Sequence, residues 1–319
     1  MTKRMQQDDA KTEAKKAVRS LWDLGGLTPR QLLKRVGKEF NEDDILGRSA
    51  QLSYYFLLAL FPAMLFLMTI FGMLAGPGSE LRESMMGYLA KVMPGSAFDL
   101  VNQTTHQVHQ AAGGWKLAVG IVGTLWSASA GLTAIMDTLN VAYEYKETRS
   151  FVRKRLVAIV LTLALAALVI SALVIVLYGG AIAEWVGRMV GLSSPAIIAW
   201  KIVQWPIALA FLAVAFALVY YFAPNHDEPE WNWITPGAVM GLFLWIGASL
   251  AFRLYLSFFN SYSATYGSVG AVIILMLWFY LSSIAILLGG EINSEIGRAQ
   301  EGRERHDARM RELQERPAA

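Results

Sequence analysis

The chain has 319 residues, of which 55% are hydrophobic and 17% charged, with a net charge of +3. Soluble domains carry about 25% charged residues and spread their apolar positions with a period; here the apolar residues fall in long runs, so a soluble globular fold is excluded and an integral membrane protein is indicated. There is no cysteine, which excludes disulfides and thiolate metal sites.

Met1–Arg48 is polar and rich in Lys and Arg. A cleavable signal peptide would place an apolar stretch within roughly the first 30 residues. None is there, so residues 1–48 are expected to be a retained, basic cytosolic segment. Within it, "LTPRQLLKRVGKEF" turns Leu32, Leu33, Val36 and Phe40 toward one face, after Thr28-Pro29 as a helix start. That face can lie on the membrane surface, where Lys34, Arg35 and Lys38 would meet anionic headgroups, or pack against the bundle.

Six runs, approximately 50–75, 115–142, 155–178, 199–222, 234–258 and 269–291, are long enough to cross the hydrocarbon layer, which takes roughly 20 helical residues. In lipid each must be helical, because every backbone polar group needs an internal partner. The expected fold is therefore all-α: a polytopic membrane helical bundle with six transmembrane helices over residues 49–292. Lys and Arg concentrate in the N-terminal segment, in Lys146–Arg155 and in the tail from residue 293, which sets both termini in the cytosol. The fourth connection, "APNHDEPEWNW", is acidic and carries no orientation signal.

Outside, residues 76–114 and 181–194 suggest short amphipathic helices. The first is marked by Leu81, Met85, Tyr88, Leu89 and Val92. Trp115, Trp185, Trp200 and Trp205 fit an outer aromatic belt, and Trp231 and Trp233 an inner one. The tail, residues 293–319, mixes both signs of charge and reads as a cytosolic helix, either a solvated extension of the last span or a partner-binding element.

Charged and polar groups inside spans are candidate functional residues, since each is costly in hydrocarbon. Asp137 lies near the inner end of the second span with Asn140 further along its face; Asp137 can instead pair with Arg149 or Arg153. Arg253 lies near the outer end of the fifth span. It can snorkel outward or hold a carboxylate or phosphate in a cavity. Glu291 ends the sixth span. Ser127, Ser129, Gly131 and Thr133 form a narrow polar segment that packs tightly or lines a wet path. Pro62 removes a backbone bond and is expected to kink the first span, below Tyr54 and Tyr55, which are belt or cavity residues. Gly237 and Gly241 form a GxxxG motif that lets helix backbones approach, within one chain or in a homo-oligomer. In "FFNSYSATYGSVGAV", Gly267 is expected to turn the chain before the last helix. An outward anion site would then combine Arg253, Tyr262, Tyr266 and the amides of Gly267–Gly270.

"AQLSYYFLLALFPAMLFL", "TLWSASAGLTAIMDTLNVAY", "RSFVRKRL", "YYFAPN", "WNWITPGAVMGLFLW" and "YSATYGSVGAVIILMLWFYLSSIAILLGGEIN" resemble the YihY/BrkB family of bacterial inner-membrane proteins, from about Arg48 to Asn293. The resemblance implies a multi-pass inner-membrane location. Family members have been labelled ribonuclease BN, and linked to serum resistance and to export of lipid or lipopolysaccharide precursors. The acidic fourth connection departs from the basic character expected there.

The nuclease label finds little in the residues. A metal nuclease needs clustered His and carboxylate ligands, and "HQVH" offers only His106 and His109, with Asp99 as a third group, on the outer side. No aromatic–basic interleaving suggests an RNA platform, and no Gly-Lys-Ser/Thr loop suggests an ATPase. The expectation is a non-enzymatic protein without cofactor or metal. It would transport or handle an amphipathic anionic lipid-like substrate, with membrane lipids as partners and no nucleic acid. A scaffolding role in the cell envelope is the alternative.

Overall fold

A computed structural model describes residues 22–74, 115–190, 194–226, 235–258 and 262–315, together with Gly87. The described residues form helices, with no strand among them. A 3₁₀ turn, Leu24–Gly26, precedes α1 (Pro29–Glu42) and α2 (Ile45–Leu74). Then come α3 (Trp115–Ala128), α4 (Ala130–Ala142), α5 (Phe151–Val190), α6 (Ser194–Phe222), α7 (Pro236–Phe258) and α8 (Tyr262–Glu315).

The start of α1 follows from its sequence. Thr28 and Gln31 form a reciprocal capping box, the Gln31 amide donating to Thr28 Oγ1 at 3.3 Å and the Thr28 amide to Gln31 Oε1 at 2.8 Å, with Pro29 at the first helical position. Its apolar face packs on α8: Val36 is buried and Phe40 half-buried, while Leu33 stays exposed. Packing against the bundle, rather than the membrane surface alone, therefore accounts for most of that face.

Among the described residues, α5, α6, α7 and α8 each contain a stretch long and apolar enough to cross a membrane: Phe151–Val176, Pro195–Phe222, Pro236–Phe258 and Val269–Met310. Three boundaries differ from the sequence expectation. The second run is not one helix but two, divided at Ser129. The third extends without interruption to Val190, so residues 181–190 continue α5 and do not form a separate surface helix. The last helix runs 54 residues from Tyr262, about 80 Å at the usual rise, and its charged C-terminal half is the direct continuation of the apolar half. Gly267 and Gly270 lie inside this helix. The turn expected at Gly267 is therefore not there: a helix carries a single glycine at modest cost. Pro62 sits within α2, where it withdraws one backbone donor without ending the helix. The proposed helix around Leu81–Val92 lies outside the described residues, as do Trp231 and Trp233.

α8 is the axis. It contacts the 3₁₀ turn, α1, α2, α4 and α7, while α5 and α6 form an antiparallel pair beside it. That pair is joined by Trp200 Nε1 donating to the Gly179 carbonyl at 2.8 Å and by the Lys201–Glu184 ion pair at 2.8 Å. The buried core gathers at one end, around Ile45, Leu52, Met136, Leu139, Ala223 and Leu287. This is the end carrying the basic connections. Toward the other end, apolar side chains such as Ile198, Leu250, Leu254 and Phe258 are exposed, as expected of surfaces that meet lipid tails.

The glycines of the GxxxG motif are used within the chain. A Cβ on Gly241 would lie 2.7 Å from the Tyr220 hydroxyl, and one on Gly289 would overlap that hydroxyl and sit 2.7 Å from the Gly237 carbonyl. The Gly237 amide donates to Asn293 Oδ1 at 2.8 Å, and Tyr220 Oη donates to the Ile286 carbonyl at 2.7 Å. Gly289→Ala is expected to lower stability by about 1–3 kcal/mol through overpacking. Gly297→Ala, where an added Cβ meets nothing within 4 Å, is expected to leave it unchanged or raise it by about 0.5–1 kcal/mol. Thermal unfolding of the two variants in detergent checks the contrast.

Candidate functional site

At Ser129 the amide still donates to the Leu125 carbonyl at 3.0 Å and the Thr133 amide to the Ser129 carbonyl at 3.1 Å, so the division is a local irregularity at which the Trp126 carbonyl takes side-chain donors. Ser129 Oγ donates to the Trp126 carbonyl at 2.8 Å, and Thr133 Oγ1 donates to the Ser129 carbonyl at 3.2 Å. Arg155, from the first turns of α5, reaches the same point. One guanidinium nitrogen donates to the Trp126 carbonyl, another to Thr133 Oγ1 at 3.1 Å, and the group lies 4.5 Å over the Trp126 ring. A cation at the C-terminal end of α3 also complements its helix dipole. Arg155 Nε is buried without a partner among the described residues. Gly131 permits the close approach of α2, since a Cβ there would be 3.3 Å from the Phe56 ring.

Beside this break lies a groove of about 460 Å³ lined by Arg48, Gln51 and Tyr55 of α2, Thr133 and Asp137 of α4, and Arg155. It brings together two of the residues singled out from sequence, Tyr55 and Asp137. Asp137 pairs with Lys154, not with Arg149 or Arg153, and its side chain is 57% exposed. Lys154 lies four residues into α5, on the side turned to α4, whereas Arg149 is held elsewhere. Among the described residues neither Arg48 nor Arg155 is paired with a carboxylate, so the groove carries more positive than negative charge. Arg48 Nε donates to the Asp43 carbonyl at 2.7 Å, and among the described residues its other nitrogens make no hydrogen bond.

Asn140 belongs to a different unit. Its Nδ2 donates to Glu147 Oε2 at 3.0 Å and its Oδ1 accepts from the Asn225 amide at 2.7 Å. Asn225 Nδ2 donates in turn to the Lys146 carbonyl and to Thr148 Oγ1, both at 2.8 Å. Arg149 grips Glu147 through two nitrogens at 2.8 Å each and donates to the Ala223 carbonyl at 2.9 Å, capping α6. This clamp ties the α4–α5 connection to the end of α6, and it is what the "YYFAPN" asparagine serves. The hydrogen bonds from Arg149 hold the Glu147 carboxyl below the usual carboxylate range.

A second cleft of about 570 Å³ opens next to the clamp, between Tyr143, Tyr145, His226, Asn293 and Arg298. Its cations are committed: Arg298 pairs with Glu144 and Glu295, and Arg305 with Glu301. His226 is wedged against Tyr143 and Tyr145, with ring centroids 5.6 and 5.0 Å away, and burial lowers its pKa.

The outward site assembled from sequence falls only in part within the described residues. Arg253 is exposed on α7. The side chains of Tyr262, Tyr266 and Gly267's neighbours lie outside the described residues. The backbone of Gly267 and Gly270 is within α8, so those amides are helix-interior rather than helix-start donors. Tyr54 is exposed beside Tyr55, at 5.8 Å between ring centroids, and is not part of the groove lining. Asp99, His106 and His109 lie outside the described residues. Among the described residues no three His, Asp or Glu side chains converge as a metal cage. Sequence reasoning missed Arg48 and Arg155 as site residues, because both were absorbed into the count of topology-setting cations. The available signal was the position of Arg155 as the first residue of an apolar run, the last of three consecutive cations.

The profile of the family described as "Virulence factor BrkB" matches residues 36–314. The chain belongs to the BrkB family. It is 39% identical over 262 residues to the "Putative ribonuclease-like protein YfkH" of Bacillus subtilis (strain 168), covering 82% of this chain and 94% of that one. It is 26% identical over 269 residues to a "UPF0761 membrane protein" of Xanthomonas oryzae pv. oryzae (strain PXO99A), and equally to one of Xanthomonas campestris pv. campestris (strain B100). In both cases the match spans 81% of this chain and 59% of the relative. No solved structure matches. The whole groove and the clamp fall within the segment shared with the BrkB family.

Asn140→Ala removes the acceptor for the Asn225 amide and a donor to Glu147, and is expected to cost about 1–3 kcal/mol, measured by thermal unfolding. The lowered pKa of His226 means that the unfolded chain binds the extra proton first. Stability from this residue is therefore present above the ordinary value of 6.5 and is lost as pH falls through the folded value. His226→Phe is expected to flatten the acid side of the stability–pH curve.

Proposed function

We propose that this BrkB-family protein binds and moves an amphipathic, anionic, lipid-like substrate in the bacterial inner membrane without enzymatic chemistry. In this reading the six apolar runs all span, and both termini are cytosolic. The headgroup enters the Arg48–Arg155 groove from the cytosolic leaflet while the acyl chains remain among the exposed apolar faces.

The observation that carries the reading is the pair of guanidiniums, unpaired with any described carboxylate, at a groove between apolar helices. Arginine suits such a groove, because its planar fork binds phosphate through two hydrogen bonds and it keeps its charge in partly apolar surroundings. The Ser129 break supports the same reading, since discontinuous helices near bound polar groups recur in membrane transporters. A scaffolding protein of the envelope, acting alone or as a homo-oligomer, is the second reading; the interior use of Gly237 and Gly241 removes their motif as a reason to invoke self-association. Ribonuclease activity is the third, and rests on the name of one relative.

Reconstitution into vesicles with a trace fluorescent phosphatidylglycerol, followed by an impermeant quencher, tests the proposal. Wild type is expected to expose inner-leaflet lipid faster than empty vesicles. Arg155→Ala, and Arg48→Ala to a lesser degree, should reduce the rate about tenfold, the equivalent of about 1.4 kcal/mol in one charged hydrogen bond, whereas Arg253→Ala should not. Rates equal to those of empty vesicles would favour the scaffold.

A further inference from the structure

The lipid-facing groove leaves one buried acid unused. Glu291, in the middle of α8, has 0% relative exposure, and neither carboxyl oxygen meets a hydrogen-bond donor among the described residues. Its environment is built by several elements. From the end of α1 the Asp43 carboxyl faces it, with Glu39 behind. Tyr143 approaches from the end of α4, and Tyr220, buried on α6, lies beside Tyr143. Arg298, nearly two turns along α8, is a cation that acts on it, but it is already held by Glu295 and by Glu144. Arg35 likewise pairs with Glu295, at 3.4 Å. Arg48, on α2, touches this cluster only through the Asp43 carbonyl. Ser49 Oγ, also with 0% exposure, and Asn293 Nδ2 are further buried polar atoms without partners among the described residues.

Two carboxyl groups facing one another in a water-poor interior cannot both be ionised; a single proton between them turns repulsion into a hydrogen bond. A charge left unpaired there would be far costlier than an unpaired neutral group. Among the described residues Arg35 and Arg298 are held by other carboxylates and Arg48 is bonded to the Asp43 carbonyl and to neither carboxyl group, and the oxygens of the cluster do not form a metal cage. We propose that Asp43 and Glu291 form a proton-binding site, holding one exchangeable proton between them at neutral pH. Asp43 is half-exposed and Glu291 is not, so the proton comes from and returns to cytosolic water by way of Asp43. On its departure the two carboxylates repel, and the α1–α2 corner is driven away from α8. This site goes beyond the lipid reading and does not depend on it.

Infrared spectroscopy of the full-length protein in lipid vesicles tests the proposal directly. A protonated carboxylic acid has a C=O stretch well separated from that of a carboxylate. Wild type at neutral pH is expected to show this band, to shift it in D₂O, and to lose it on alkalinisation. Glu291→Gln should lack it. Asp43→Asn should lose or displace it, because the amide can donate to an ionised Glu291. Thermal unfolding gives a second readout: a native state that binds the extra proton loses stability as pH rises, so wild type should melt progressively lower on alkalinisation and Glu291→Gln should not. No acid band in neutral wild type, or a band unchanged in Glu291→Gln, would overturn the site. A band unchanged in Asp43→Asn would overturn the sharing. If Glu291→Gln does not fold, the Asp43→Asn spectrum and the wild-type titration still decide.

Discussion

Everything at the basic end of the molecule depends on how closely α7 approaches α8. Gly237 and Gly289 bring the two backbones to a separation that admits no Cβ, and Asn293 takes up the Gly237 amide at the start of α7. In lipid there is no hydrophobic drive to press helices together, so close packing and interhelical hydrogen bonds must hold them. Tyr220 exploits the same gap, reaching over Gly241 and Gly289 to the Ile286 carbonyl. With α6, α7 and α8 fixed in this way, the ends of α2, α4 and α5 have one wall to pack on, and the core around Leu139 and Leu287 follows.

Against that wall, the polar groups divide by whether they are satisfied. Asn140, Glu147, Arg149 and Asn225 bond one another and nearby carbonyls so fully that their role is to join connections. Such closed networks rigidify. Arg155 is intermediate: its terminal nitrogens bond at the helix break while Nε stays unpartnered. Arg48 and Glu291 are the open cases. A buried or interfacial polar group without a partner is destabilising on its own, and it is these two, rather than Asn140, that mark where the molecule has something left to bind.

The helices were legible because length and apolarity alone decide them in a membrane protein; the runs at 199–222 and 234–258 match α6 and α7 to within a few residues. Their ends were less so. Nothing in "SASAG" distinguishes a break from a narrow packing face, since serine and glycine serve both, and the arginine that bonds the Trp126 carbonyl there lies 26 residues beyond Ser129 in sequence. The polar run at 263–268 looked like a hinge because Ser, Thr and Gly are turn formers, yet it lies inside the first turns of α8. The site was half legible. Asp137 and Tyr55 stood out as polar groups in apolar runs, while Arg48 and Arg155 were hidden by abundance, as two cations among the 28 Lys and Arg residues of the chain. Arg253 stood out for the same reason as Asp137, but exposure at a helix end is what snorkelling predicts.

The groove and the carboxyl pair are not independent features of the structure. Arg48 lines the groove and donates to the carbonyl of Asp43, the residue whose side chain faces Glu291. A displacement of Asp43 away from α8 therefore alters the position of Arg48, and an anion that draws Arg48 into the groove pulls on the backbone at Asp43. Linkage makes such an effect reciprocal: whatever a bound proton does to anion affinity, a bound anion does to proton affinity by the same factor. The short α1–α2 corner, with Asp44 at φ +50 and Gly47 packed on the Asp44 carboxyl, leaves little slack to absorb the motion. A tight corner between two charged sites is the physical requirement for one to sense the other, and in this chain it spans only the residues from Asp43 to Arg48.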